Sequence, residues 1–130
     1  MPATIHVIAT TFDGTAAALR AATPVASGQQ ARVVLLVPQV PRAEIEQSPL
    51  AVSLLIDRYD EVAKTLHQPV LIRLCQDPDV TEAAKRMTPN GATVFIGGRA
   101  SLFWPSAEER LAARLRRTGR EVVFVGCNHA

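Results

Sequence analysis

Five short runs of apolar, largely β-branched residues punctuate this chain, and their character constrains the fold more than any other feature. Ile5 to Thr10, Arg32 to Val37, Val70 to Leu74, Thr93 to Ile96 and Glu121 to Val125 each have the length and composition of a strand. Several are continuous rather than alternating, most clearly Arg32-Val-Val-Leu-Leu-Val37. A strand that is apolar on both faces has to be covered on both faces, which is the situation of a parallel strand between two helix layers.

The segments between these runs carry helical signals. Thr15 to about Ser27 is rich in alanine and is followed by Gly28, so a helix is expected to end there, with Pro24 kinking or shortening it. Leu50 to Leu66 sets Leu55, Tyr59, Val62 and Leu66 on one stripe and pairs Asp60 with Lys64 on the other face. Asp79-Val-Thr-Glu82 and Ser106-Ala-Glu-Glu109 are capping-box patterns. They open helices over Asp79 to Met87 and Ser106 to Thr118, the second stopped by Gly119. Pro38 to Pro49 has three prolines and no period, and reads as a loop or a partly ordered insert.

The resulting order is β-α-β-α-β-α-β-α-β. With right-handed crossovers, the expected architecture is α/β: an open five-stranded parallel sheet flanked by helices, strand order 3-2-1-4-5, flavodoxin-like or adenine-nucleotide alpha-hydrolase-like. The 130 residues suffice for one domain, taken as 1–130. At 48% hydrophobic and 20% charged residues the composition excludes disorder.

Composition also narrows the partners. A formal charge of +2 is not the footprint of a nucleic-acid binder. Cys75 and Cys127 read as reduced thiols rather than a secreted disulfide framework. Met1 to Ile8 lacks the basic and long apolar regions of a signal peptide, and no run approaches the ~18 apolar residues that suggest a span. A cytoplasmic protein without nucleic-acid or membrane partners is expected.

In an open parallel sheet, ligands bind beyond the carboxyl ends of the strands where the strand order reverses. Here those ends are Thr10-Thr11-Phe12-Asp13-Gly14-Thr15 and Gly97-Gly98-Arg99-Ala100-Ser101. Both are rich in small polar groups and lead into helix N-termini, a geometry that receives phosphate or carboxylate. The competing reading is that Asp13 caps a helix and the glycines only permit tight turns.

Asp13-Gly-Thr-Ala-Ala-Ala-Leu-Arg-Ala-Ala22 after an apolar strand, Val33 to Val37, Ala92-Thr-Val-Phe-Ile-Gly97, Ser106-Ala-Glu-Glu-Arg-Leu111 and Glu121 to Val125 occur in the order seen in the universal stress protein family, which this chain resembles over nearly its whole length. The nucleotide-binding branch of that family carries Gly-x2-Gly-x9-Gly-Ser/Thr after the fourth strand, where amides and a hydroxyl hold phosphates. This chain departs from the pattern: Gly97 fits, but Ala100 takes the second glycine's place and Pro105 the last, ahead of Ser106. The loop is shorter, and Leu102-Phe103-Trp104 fills it. Proline offers no amide hydrogen. The resemblance therefore implies at most a weak adenine-nucleotide site (ATP or AMP), or none, built from Thr11, Asp13, Gly97, Gly98, Ser101 and Ser106. Phe103 and Trp104 either plug that pocket, the favoured expectation, or form an interaction patch.

Other readings fare worse. Thr11 stands where a haloacid dehalogenase has its nucleophilic aspartate, and threonine cannot form the aspartyl intermediate. A receiver domain needs an acidic cluster after the first strand and a lysine after the fifth, and neither is present. His6, His67, His129 and the two cysteines have no metal-site spacing. Arg110, Arg114 and Arg117 share a helix face that reads as solvated. The resemblance implies a non-enzymatic stress-response module that acts through an unidentified protein partner and as a homodimer paired along the apolar edge strand Val122 to Val125. The alternative is a family member that binds ATP or AMP, or hydrolyses it slowly.

Overall fold

Each continuous apolar run becomes a strand and each amphipathic segment a helix. The computed structural model describes residues 3–39 and 49–127. The elements are β1 (Thr4–Ile8), α1 (Phe12–Gln29), β2 (Arg32–Gln39), α2 (Pro49–Thr65), β3 (Val70–Gln76), α3 (Val80–Met87), β4 (Thr93–Gly98), α4 (Ala107–Arg116) and β5 (Glu121–Gly126). The sheet is five-stranded and parallel throughout, in the order β3-β2-β1-β4-β5.

Alternation along β1 assigns its two faces. Ile5 and Val7 join a core with Leu19, Leu35, Phe95 and Tyr59, beneath α1 and α2. Ile8 joins Ile96, Val94, Leu111 and Leu115, beneath α3 and α4. The stripe expected on α2 is present, with Tyr59 in the core and Leu55, Val62 and Leu66 against it, and Lys64 lies 3.4 Å from Asp60.

Helix α1 lies close to the sheet because its buried ridge is made of small residues. Gly14, Ala18, Ala22 and Ala26 recur every four positions, and all are buried. At the start of this ridge Gly14 meets Gly97 of β4 backbone to backbone. A Cβ on Gly14 would lie 2.5 Å from the Gly97 carbonyl oxygen, and one on Gly97 would overlap the Gly14 carbonyl.

Two expectations for α1 are corrected. Pro24 does not end it, and the helix runs through to Gln29. Pro24 is exposed, as is Arg20, whose carbonyl loses its helical donor, so water can satisfy that oxygen. Gly28 is not the cap either. Gln30 takes the left-handed conformation (φ 53°), with its amide bonded to Ser27 and that of Ala31 to Ala26, a Schellman closure. Of the segment expected as a loop, Pro38 belongs to β2 and Pro49 opens α2, while residues 40–48 lie outside the described residues. Pro38 is tolerated because β1 pairs with β2 only as far as Leu36, so Pro38 has β3 alone as a neighbour.

Polar staples finish the packing. Asp79 caps α3 by accepting from Thr81 and Glu82, while Glu82 turns to Lys85 instead of completing the expected box. Arg86 reaches back from α3 to Asp77, the Gln76 carbonyl and the buried Cys75. Arg120 ties β5 to the end of α3 through Thr88 and the Lys85 carbonyl.

Two predictions follow from this packing. A methyl group at Gly28 meets nothing within 4 Å, so Gly28→Ala should add about 0.5–1 kcal/mol of stability. Gly97→Ala should instead remove about 1–3 kcal/mol or prevent folding. Urea unfolding of both variants checks this, and equal effects would refute the close approach. The second concerns His6, which is buried with no partner for Nδ1 among the described residues. Burial lowers its pKa, the Arg73 guanidinium adds to the effect, and a bond with the Thr93 backbone opposes it. The folded chain therefore binds fewer protons than the unfolded one. Stability should be complete above about pH 6.5 and decline as pH falls toward the folded pKa. His6→Val should flatten that decline in denaturation titrations, and an unchanged slope would contradict the assignment.

Candidate functional site

The turn between β1 and α1 is fixed by three threonines. The Thr10 amide donates to Thr15 Oγ1 (2.9 Å), and Thr15 donates to the Thr11 carbonyl (2.7 Å). Thr10 Oγ1 donates to the Gly97 carbonyl at 2.6 Å, tying the ends of β1 and β4 together. Thr11 is the N-cap of α1, its hydroxyl accepting from the Gly14 amide at 3.0 Å. Asp13 lies exposed in the first helical turn, where the helix dipole favours a carboxylate. Phe12 stacks on Tyr59 with centroids 5.8 Å apart, and the Arg58 guanidinium sits 3.8 Å over its ring. This clamp fixes the entry to α1 on α2.

Gly97 and Gly98 are the last residues of β4 rather than the loop after it. Their contribution is the missing side chain: Gly97 admits Gly14, and Gly98 admits the Glu108 side chain, whose Cβ and Cγ would lie 2.5 Å from a methyl group there. Beyond them, one carboxylate organises the loop into α4. Glu109 Oε1 accepts from the Ser106 amide at 2.8 Å and from the Ser101 amide at 3.1 Å. Ser106 Oγ accepts from the Glu109 amide at 3.1 Å, completing a reciprocal capping box. The bond from the Ser106 backbone leads the effects that lower the Glu109 pKa, with further bonds from Ser101 and the Ser106 hydroxyl, and partial burial opposes them. The Trp104 amide donates to Ser101 Oγ at 3.3 Å.

A cleft of about 630 Å³ opens at the carboxyl ends of the strands on the α3–α4 side. It is lined by Ala9, Thr10 and Thr11 after β1, Pro38 of β2, Pro78 to Thr81 at the start of α3, and Ala107, Glu108, Leu111 and Arg114 of α4. Among the six residues read from sequence as a site, Thr11 alone lines this cleft. Asp13 is on the adjacent helical turn, Gly97 and Gly98 sit behind it in the sheet, and Ser101 and Ser106 are bonded to Glu109.

Sequence reading missed Asp79, Glu108 and Arg114 as cleft residues and Glu109 as the loop's anchor. The signal for Glu109 was present in Ser106-x-x-Glu109, but its bond to Ser101 arises only once the loop folds back. Arg114 stands on the arginine face taken as solvated. Among the described residues no group of three His, Cys, Asp or Glu side chains could hold a metal, and no helix is long and apolar enough to cross a membrane. His129 lies outside the described residues.

The expectation that Phe103 and Trp104 plug the pocket is corrected. Leu102, Phe103 and Trp104 are 95%, 86% and 82% exposed, and none lines the cleft. The cause is geometric: anchoring Ser101 and Ser106 to the same carboxylate pinches the base of the loop, which leaves its apolar tip projecting outward.

No family model and no curated protein matches the chain. Solved structures do. A universal stress protein family member from Burkholderia pseudomallei superposes with a TM-score of 0.65 at 18% identity, covering 96% of each chain. A universal stress protein in complex with cAMP gives 0.67 at 16% identity, over 97% of this chain and 98% of that one. A universal stress protein from Archaeoglobus fulgidus gives 0.67 at 9% identity, over 96% and 94%. Strand order, helix placement and near full-length superposition agree, and the chain has the fold of the universal stress proteins.

Proposed function

We propose that this chain is a universal-stress-protein-like stress-response module that works without catalysis, as a cytoplasmic homodimer engaging a protein partner, with at most weak binding of adenine nucleotides. One observation carries this reading: an open strand edge with an exposed apolar loop beside it. Among the described residues β5 pairs with β4 alone, and Val123 on it is exposed. The loop bearing Leu102, Phe103 and Trp104 adjoins the end of that strand, since the Cys127 amide bonds to the Gly98 carbonyl at 2.8 Å and a Cβ on Gly126 would lie 3.6 Å from that of Ala100. Unpaired edges and apolar loops of this kind invite association, and a second copy offers the same edge in return.

A second reading, an ATP- or AMP-binding or slowly hydrolysing protein, draws on the cleft and on the cAMP-bound structure with a similar fold. Micromolar ATP binding in calorimetry, lost in Asp13→Ala, would favour it over the first.

The dimer is tested by light scattering and sedimentation. The chain should be dimeric at micromolar concentration, and Val123→Lys should weaken association roughly tenfold or more, because a lysine on an edge strand opposes pairing. A monomer at high micromolar concentration would overturn the reading.

A further inference from the structure

The small net charge of the chain conceals a local excess. Between Arg99 and Arg120 the sequence has six arginines against two glutamates, an excess of four where the full chain carries +2, so the remainder is net acidic. Two of the six are held by the fold: Arg116 donates to the Val122 carbonyl, and Arg120 to Thr88 and the Lys85 carbonyl. Arg99, Arg110, Arg114 and Arg117 are exposed and take part in none of the ion pairs among the described residues. Of the two glutamates, Glu109 is bonded to the Ser101 and Ser106 amides, and Glu108 lies against Gly98.

Three of these free cations form a row. Arg110, Arg114 and Arg117 follow one another by four and three residues, which sets them on one face of α4 at rises of about 6 and 4.5 Å. Arg117 keeps helical backbone angles at the C-cap (φ −68°, ψ −16°) and so stays in line. At the other end of the row is the loop entering α4, where Phe103 and Trp104 are exposed and Arg99 precedes them. Rings with free faces beside a row of guanidinium groups are the two elements that hold a single nucleic-acid strand: bases stack on the rings and phosphates pair with the cations. A membrane surface would call for cations in a plane around the apolar tip, whereas Arg117 is about 15 Å along the helix from the loop. Asp79 and Glu108 lie on the cleft side of Arg114, which confines a polyanion to the outer side of the row.

We propose that the tip of this loop and the arginine row of α4 form a binding surface for single-stranded RNA, with bases stacked on Phe103 and Trp104 and phosphates paired with Arg99, Arg110, Arg114 and Arg117. RNA is named because it is the single strand met in the cytoplasm, where the chain is placed above. Stacking and phosphate pairing read no base edge, so binding is expected to tolerate any sequence. The proposal stands apart from the dimer, since pairing along β5 uses that strand's backbone groups and not the two rings.

Trp104 is the only tryptophan of the chain, so its fluorescence reports on this surface alone. The test is titration of the full chain with an oligouridylate of about twelve nucleotides, within the range of single-strand sites. Binding should quench Trp104, and log K should fall against log salt with a slope of about −2 to −3, as four phosphate contacts on a single strand give. With a labelled strand followed by anisotropy, Trp104→Ala should weaken binding roughly fivefold or more and leave the slope unchanged. Arg110→Gln, Arg114→Gln and Arg117→Gln should each flatten the slope by about 0.7. All four positions are exposed, and thermal melting confirms that each variant is folded. Polyphosphate, polyglutamate and vesicles of phosphatidylserine and phosphatidylcholine are titrated in parallel. Polyphosphate or polyglutamate binding as tightly as the oligouridylate would overturn the inference by removing the bases from it. A blue shift of Trp104 on the vesicles, without quenching by the RNA, would overturn it in favour of a membrane surface. RNA binding that neither quenches Trp104 nor weakens in Trp104→Ala would place the strand elsewhere, and no RNA binding at all would overturn the inference outright.

Discussion

The structure depends on one contact between backbones. Gly14 at the head of α1 lies against Gly97 at the end of β4, and neither position has room for a methyl group. The approach is possible only because the helix continues inward as a ridge of Ala18, Ala22 and Ala26, which lets its axis settle close to the sheet. It also explains why Thr10 can reach the Gly97 carbonyl, and why the ends of β1 and β4 share one rim. A side chain at either glycine would lift the helix, open the turn held by Thr15 and separate the strand ends on which the cleft is built.

The same economy governs the chemistry at the rim. Gly97 and Gly98 serve packing, the first against Gly14 and the second against the Glu108 side chain. The side chains at the helix starts act as caps: Thr11 on α1, Asp79 on α3, Ser106 and Glu109 on α4. A capping box is locally stabilising by about 1 kcal/mol, and here it also pulls Ser101 into the same carboxylate. The loop is thereby closed at its base, and its Leu-Phe-Trp tip is left facing solvent next to the sheet edge. The protruding loop thus follows from one side chain's hydrogen bonds.

The sheet was readable from sequence because doubly covered strands show as continuous apolar runs, and the single-sided stripe of α2 identified its inner face. Element ends were less readable. Gly97 and Gly98 look like loop residues but extend β4, since only a pair without side chains can take α1 and α4 so close. Pro24 looks like a breaker but falls where the freed carbonyl faces water, and Gln30 closes the helix in a conformation usually left to glycine. The cleft was legible only at Thr11. Asp79, Glu108 and Arg114 come from α3 and α4, which the crossovers bring together, and no local pattern records that meeting.

The most direct measurement of this account is nuclear Overhauser spectroscopy on the labelled chain, read at the two glycines. The account predicts strong cross-peaks between the α-protons of Gly14 and those of Gly97, and a slowly exchanging Thr10 hydroxyl proton bonded to the Gly97 carbonyl. Gly14 showing contacts only within its own helix, with no signal to β4, would contradict it.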